Sequence, residues 1–290
     1  MRHFNEWEIA FVKEQLQNEI PKKRFIKSIL HTDYRIFDRM CKEIGINYPN
    51  FKCKKFRNNP FIEINHPDVQ YWLGWLATDG YISNRKGNYR CVLSVSEKDI
   101  DLLKQYNEFL GSNMTIHRTI HHGKFPMVNI NFKNQDVIDF LVDLGFNTNK
   151  TFDFNPKFNL SWDYIRGCFE GDGYFRKSGS YEISMISACE SHIKKIQAFI
   201  ESYGIKTHLR ERLDLKSTSI WILGIYSKKD LDKFIGYLYD SAHYFLPRKY
   251  ETARNIRNNI WKSLKVGEPA EGIPSEALEK RTCNDLTGDP

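Results

Sequence analysis

The sequence predicts an α+β protein: tandem, pseudo-symmetric αββαββα repeats preceded by a small helical domain. Three observations lead there. First, one stretch occurs twice, as YWLGWLATDGYI at residues 71–82 and as YIRGCFEGDGYF at 164–175. Second, the offset of 93 (from 79 to 172) that pairs Asp79 with Asp172 also pairs Gly74 with Gly167, Glu97 with Glu190, Ile100 with Ile193 and Gly111 with Gly204. A one-residue drift then pairs Asp136 with Asp230 and Phe140 with Phe234. Third, period-two runs and amphipathic helical runs follow one another in the same order in both copies. Correspondence held over roughly seventy residues marks a duplicated fold.

Residues 1–46 predict three short helices. Asn5 suits the cap of the first, WEIAFVKEQLQ, and Pro21 the first turn of the second, PKKRFIKSILH. Thr32 suits the cap of the third, DYRIFDRMCKEI, which Gly45 ends. Phe25, Ile26, Ile29, Ile36, Phe37, Met40 and Ile44 supply a small core, while Arg35, Arg39 and Lys42 line the outer side of the third helix. The pattern resembles a helix-turn-helix whose third helix reads a major groove; the alternative is a solvated helical cap. Residues 47–60, NYPNFKCKKFRNNP, form a basic linker in which Lys52, Lys54, Lys55 and Arg57 suit phosphate tracking.

The first repeat, residues 61–155, continues from its motif helix into strands around 81–85 and 89–96. A helix follows at KDIDLLKQYNEFLG, then strands at MTIHRTI and MVNINF and a helix at QDVIDFLVDLG. The second repeat, residues 156–262, gives strands around YFRK and YEISMIS, a helix at SHIKKIQAFIESYG, strands at KTHLRERL and SIWILGIY, and a helix at KKDLDKFIGYLYD. Each copy therefore predicts an antiparallel sheet covered by helices on one face and wet on the other. Residues 263–290 are acidic, proline-containing and poor in large apolar residues, which predicts a disordered tail.

A net charge of +7 and a pI near 8.9 favour a polyanionic partner. The six cysteines (Cys41, Cys53, Cys91, Cys168, Cys189, Cys283) show no CxxC spacing, which argues against a zinc site and for reduced thiols in an intracellular protein. The amino terminus lacks a secretion signal core, and no apolar run reaches membrane-spanning length.

Both motif helices are apolar around most of their circumference, and each carries small residues four apart, Gly74 with Thr78 and Gly167 with Gly171. Glycine costs a helix interior about 0.5–1 kcal/mol relative to alanine, so its paired use calls for a close helix crossing. Such a crossing brings Asp79 and Asp172 together at the negative ends of two helix dipoles. Both charges are disfavoured there unless a divalent cation joins them. That is the geometry of an active site.

The paired stretches resemble the two motifs of the LAGLIDADG homing endonucleases in their single-chain, two-motif form. The first departs in carrying Ala77 and Thr78 where an acid and a small residue are usual. The resemblance implies two sheets forming a saddle on double-stranded DNA, and hydrolysis of both strands at facing phosphates to leave short 3′ overhangs. It makes Asp79 and Asp172 catalytic acids and metal ligands, with Thr78 and Gly171 beside the metal. Mg²⁺ is the implied ion, with Mn²⁺ or Ca²⁺ as substitutes. It also implies a basic residue near each acid, matched by Lys150 and Lys249 with Arg248 as a substitute, and it leaves Glu170 as a supporting or helix-surface acid. DNA contacts are expected from Arg85, Lys86, Arg90, His117, Arg118 and Lys124 in the first copy. In the second they are expected from Arg176, Lys177, His208, Arg210, Arg212 and Lys216, and in the helical domain from Arg35 and Arg39. In KTHLRERL, strand alternation places His208, Arg210 and Arg212 opposite Leu209 and Leu213. The duplicated halves imply a monomer, and the starting methionine favours an intron-borne or free-standing gene over an intein. An intron RNA maturase, with RNA as partner, and a catalytically silent DNA-binding regulator are the alternatives of the same fold.

Overall fold

The computed structural model describes residues 3–17, 30, 34–46, 58–85, 87–121, 123–176, 181–213 and 218–265. The predicted helix at 21–31 (apart from Leu30), Thr32, the linker up to residue 57, Lys86, Lys177, Lys216 and the tail from 266 lie outside the described residues, as do the side chains of Arg35 and Arg85. Two compact units emerge, bounded at Asn58 and Asn59, with Asn107–Thr115 belonging to the first.

The first unit contains α1 (Glu6–Gln17) and α2 (Tyr34–Glu43). Asn5 caps α1 as predicted, and the cap is reciprocal. Its Oδ1 accepts from the Glu8 N–H at 3.0 Å, and Glu8 Oε2 accepts from the Asn5 N–H at 3.0 Å. Such a pair satisfies two orphan donors and contributes about 1 kcal/mol. Val12, Leu30, Phe37 and Cys41 form a core bordered by Phe4, Phe11 and Ile46. Gly45 follows α2 at φ 70°, where a side chain would be strained.

The second unit holds both repeats apart from Asn107–Thr115. The first runs α3 (Pro67–Thr78), β1 (Gly80–Arg85), β2 (Asn88–Ser96), a 3₁₀ turn at Glu97–Asp99, α4 (Ile100–Phe109), β3 (His117–His121), β4 (Phe125–Phe132) and α5 (Gln135–Asp143). The second runs α6 (Trp162–Asp172), β5 (Gly173–Arg176), β6 (Glu182–Ser187), α7 (Glu190–Ser202), β7 (His208–Leu213), β8 (Ser219–Ile225) and α8 (Lys228–Tyr239). Both sheets are antiparallel with one topology, β1-β2-β4-β3 and β5-β6-β8-β7, so the predicted duplication holds in the strand order itself. Polar side chains start the helices. Ser161 Oγ accepts from the Tyr164 N–H, Asn134 Oδ1 from the Val137 N–H and Ser227 Oγ from the Asp230 N–H.

Register fixes the faces. Across β2 and β4, Cys91, Leu93 and Val95 oppose Phe132, Ile130 and Val128, all buried. Directly opposed residues point to the same side, so these form the helix-covered face. Two expectations need correction. Leu209 is half-buried opposite the core residue Leu223, but Leu213 is 61% exposed, with Ser219 as its cross-strand partner. A further helix, α9 (Pro247–Lys265), carries the chain past the predicted tail boundary at 262. Its buried Ala253, Ile256 and Ile260 recur at helical spacing, a signal readable in the sequence behind the many polar residues around them.

Candidate active site

The site begins where α3 and α6 cross. A Cβ added to Gly74 would stand 2.8 Å from the Cys168 nitrogen and 2.9 Å from the Gly167 Cα, and one on Gly167 would stand 3.0 Å from the Gly74 Cα and 3.0 Å from the Trp75 nitrogen. Backbone meets backbone, so both glycines are required. One turn on, a Cβ at Gly171 would collide with the Thr78 hydroxyl and stand 2.7 Å from Asp79 Oδ2. Thr78 thus fills the space that Gly171 leaves, beside the first acid.

Asp79 caps α3 and Asp172 is the last residue of α6. Burial, then repulsion from Asp172, pushes the Asp79 carboxyl up to about 7 against the pull of Lys150 and Lys249. Asp172 is exposed at its rim, yet the protein packed around its carboxyl raises it too, opposed by the same two lysines. The lysines sit at the two helix ends. Lys150 Nζ donates to the Ala77 and Thr78 carbonyls at 2.6 and 3.0 Å. Lys249 Nζ donates to the Phe169 and Gly173 carbonyls at 2.6 and 2.7 Å. Each ammonium therefore spends two of its three donors on a helix C-terminus, neutralising the dipole beside an acid. Burial lowers both, Lys249 to about 8.

Behind the acids lies a polar layer that the sequence left undefined. Glu170 is fully buried rather than on a helix surface, and the Tyr71 hydroxyl donates to its Oε2 at 2.7 Å. Burial raises Glu170 to about 7, against a hydrogen bond from the Leu246 backbone and the nearby Tyr71 and Arg166. Arg166, itself buried, donates to the Tyr244 and Leu238 carbonyls and pairs with Asp163 at 2.6 Å. An arginine within the buried stretch of the motif helix was the available signal.

Arg248 is no substitute for Lys249. Its Nε and a terminal nitrogen donate to the two Asp99 oxygens at 2.8 and 2.9 Å. Among the expected DNA contacts, Arg90, His117, Lys124, Arg176, His208, Arg210 and Arg212 are all exposed. Arg90 opposes Ser83, His117 opposes Asn129 and Arg176 opposes Glu182, positions that alternate with the buried core residues and so face away from the helices. Arg118 opposes the buried Val128, which puts it on the helix side, where it pairs with Glu97 at 2.8 Å. Adjacent strand residues cannot share a face, so His117 and Arg118 cannot serve one groove together. In the other unit, Arg39 pairs with Glu43 at 3.6 Å.

Among the described residues, no group of three or more His, Cys, Asp or Glu side chains converges as a metal cage. The donor set is two carboxylates beside carbonyl oxygens. Such oxygen donors suit a hard divalent cation.

The duplicated fold and the crossing of the two motif helices agree with the resemblance that the motifs carry. Residues 161–238 match the family model described as a LAGLIDADG-like domain, so the second repeat carries that domain. The LAGLIDADG homing endonuclease I-GzeII, solved in complex with its DNA target, shares the fold at TM-score 0.50 and 10% identity, over 70% of this chain and 92% of that one. I-DmoI, solved with DNA and Ca, aligns at TM-score 0.45 and 14% identity over 68% of this chain and all of that one. A curated relative, glutamine–fructose-6-phosphate aminotransferase of Methanocaldococcus jannaschii, is 23% identical over 180 residues, 58% of this chain. The matched region spans about a sixth of that protein's length (16%).

Proposed function

We propose that this protein is a sequence-specific endonuclease of duplex DNA that depends on a divalent metal, Mg²⁺ in the first instance, and acts as a monomer. One observation carries the reading: two helices crossing on glycine deliver Asp79 and Asp172 to one place, each with a lysine at its helix end. A structural role does not explain a pair of carboxylates crowded until their charge is disfavoured. A cation and a phosphate backbone do.

Asp79 and Asp172 would hold the metal, whose chemistry is to stabilise charge on the scissile phosphate and make a bound water a better nucleophile. The chain's own residues do the rest. Two separate acids, one per motif, match the two strands of a duplex, which is why one chain suffices. The third proton on each lysine Nζ remains free to orient a phosphate or a water. Around the site, the exposed Arg90, Arg176, Arg210 and Arg212 offer guanidinium groups to phosphates and guanine edges.

Selection of cleaved molecules from a randomised duplex library tests this without knowledge of the target. In Mg²⁺ the protein should enrich one site with short 3′ overhangs, and chelation should abolish it. Asp79→Asn and Asp172→Asn should each stop double-strand cleavage while retaining binding. Undiminished cleavage by either variant refutes the assignment.

A further inference from the structure

The segment that closes each repeat touches the other repeat and carries a lysine held at its own motif helix, the lysine coming before the contact in the first repeat and after it in the second. After α5, Phe154 exchanges hydrogen bonds with Cys189 Sγ (3.1 and 3.3 Å), and its ring meets His192 edge-on at 4.8 Å. After α8, His243 pairs with Asp68 at 2.9 Å and Tyr244 stacks on Tyr71 at 5.8 Å. The second crossing ends at α9, whose first turn is set by the Lys249 N–H donating to the Leu246 carbonyl at 2.9 Å. There Arg248 meets Asp99 of the first repeat.

The repeat offset of 93 carries Asp99 onto His192. The same position in each copy therefore anchors the opposite copy's lysine-bearing segment, by a ring contact in one case and an ion pair in the other. Asp99 has a side chain only 7% exposed, and both its oxygens go to the guanidinium. A two-point fork of this kind fixes orientation as well as distance. It holds the residue next to Lys249, whose Nζ closes the end of α6.

We propose that Asp99 is a positioning residue for Lys249: through its fork with Arg248, the first repeat sets the lysine that serves the acid of the second. The claim rests on the nuclease reading for its effect on cleavage, while the positioning itself can be measured without DNA. Mass spectrometry after brief acetylation with acetic anhydride reads the accessibility of each lysine. In Asp99→Asn, Lys249 should acetylate several-fold faster while Lys150 keeps its rate. On the site selected from the library, this variant should cut one strand about 10- to 100-fold more slowly, since small misplacements of a reacting group have that effect, and nicked duplex should accumulate. The exchanged pair, Asp99→Arg with Arg248→Asp, should restore both readouts. Unchanged labelling of Lys249, or equal acceleration at Lys150 and Lys249, overturns the proposal. Should the unaltered protein cleave nothing, the nuclease reading falls and labelling alone decides whether Asp99 positions the lysine.

Discussion

The two motif helices are built to one plan and finished differently. In α6, Glu170 reaches the Tyr71 hydroxyl of its partner helix, but the matching position in α3 is Ala77. Tyr164, which matches Tyr71, turns instead to His192 Nε2 at 2.7 Å. Burial drives that histidine down to about 3, so this half of the interior is neutral, while the other holds a carboxyl raised to about 7 beside Arg166 and Lys249. Symmetry is strict where backbone touches backbone and relaxed one layer away. Close approach leaves no alternative to glycine, whereas a buried hydroxyl needs only some partner.

The sharpest test of the strict part is Gly74→Leu or Gly167→Leu. Either side chain must push two backbones apart, and urea unfolding should show a loss of more than about 3 kcal/mol, beyond ordinary overpacking. Gly171→Ala should also cost stability, because its Cβ would stand 2.7 Å from the Thr78 Cβ, which moves only with its backbone, and it should impair cleavage by crowding Asp79.

Removing one hydroxyl from each half probes the relaxed part. Tyr71→Phe strips a donor from a buried acid and should cost about 1–3 kcal/mol, more than Tyr164→Phe, which breaks a neutral bond worth about 1 kcal/mol. Equal losses would erase the distinction between the halves.

The acid at Glu170 also gives that half a pH signature. Its carboxyl is raised in the fold, so the folded protein holds the proton more tightly than the unfolded chain. Stability from this group is complete below the ordinary pKa near 4.5 and is lost as pH rises through about 7. Glu170→Gln should therefore raise the melting temperature at pH 8, by an amount corresponding to on the order of 1–2 kcal/mol, and change little at pH 4.

At the surface the comparison turns on sheet faces. Arg118→Ala should alter stability by no more than about 0.5 kcal/mol, since its pair is exposed, and Arg176→Ala by up to about 1 kcal/mol, since the Glu182 side chain is only 13% exposed. Only Arg176→Ala should weaken DNA binding and lower the salt slope by about 1, because Arg118 lies on the helix side.

The strand order, the glycine crossing and the two acids were legible because they rest on local rules: alternation, helical period and the absence of a Cβ. Arg248 shows what was not. Its partner Asp99 lies 149 residues away, and no periodicity ties the two together. Glu170 was readable as a supporting acid but its burial was not, because nothing in the sequence shows that Tyr71 sits opposite and shelters it. Helix α9 was missed where charge outweighed a sparse apolar spacing that was nonetheless present.

The meeting of the two acids can be observed without substrate. Carboxyl ¹³C chemical shifts should show Asp79 titrating near 7 in the metal-free protein, with a lower midpoint in Asp172→Asn once the second charge is gone. A midpoint that does not move would mean that the carboxylates do not sense each other, and the shared site would be lost with them.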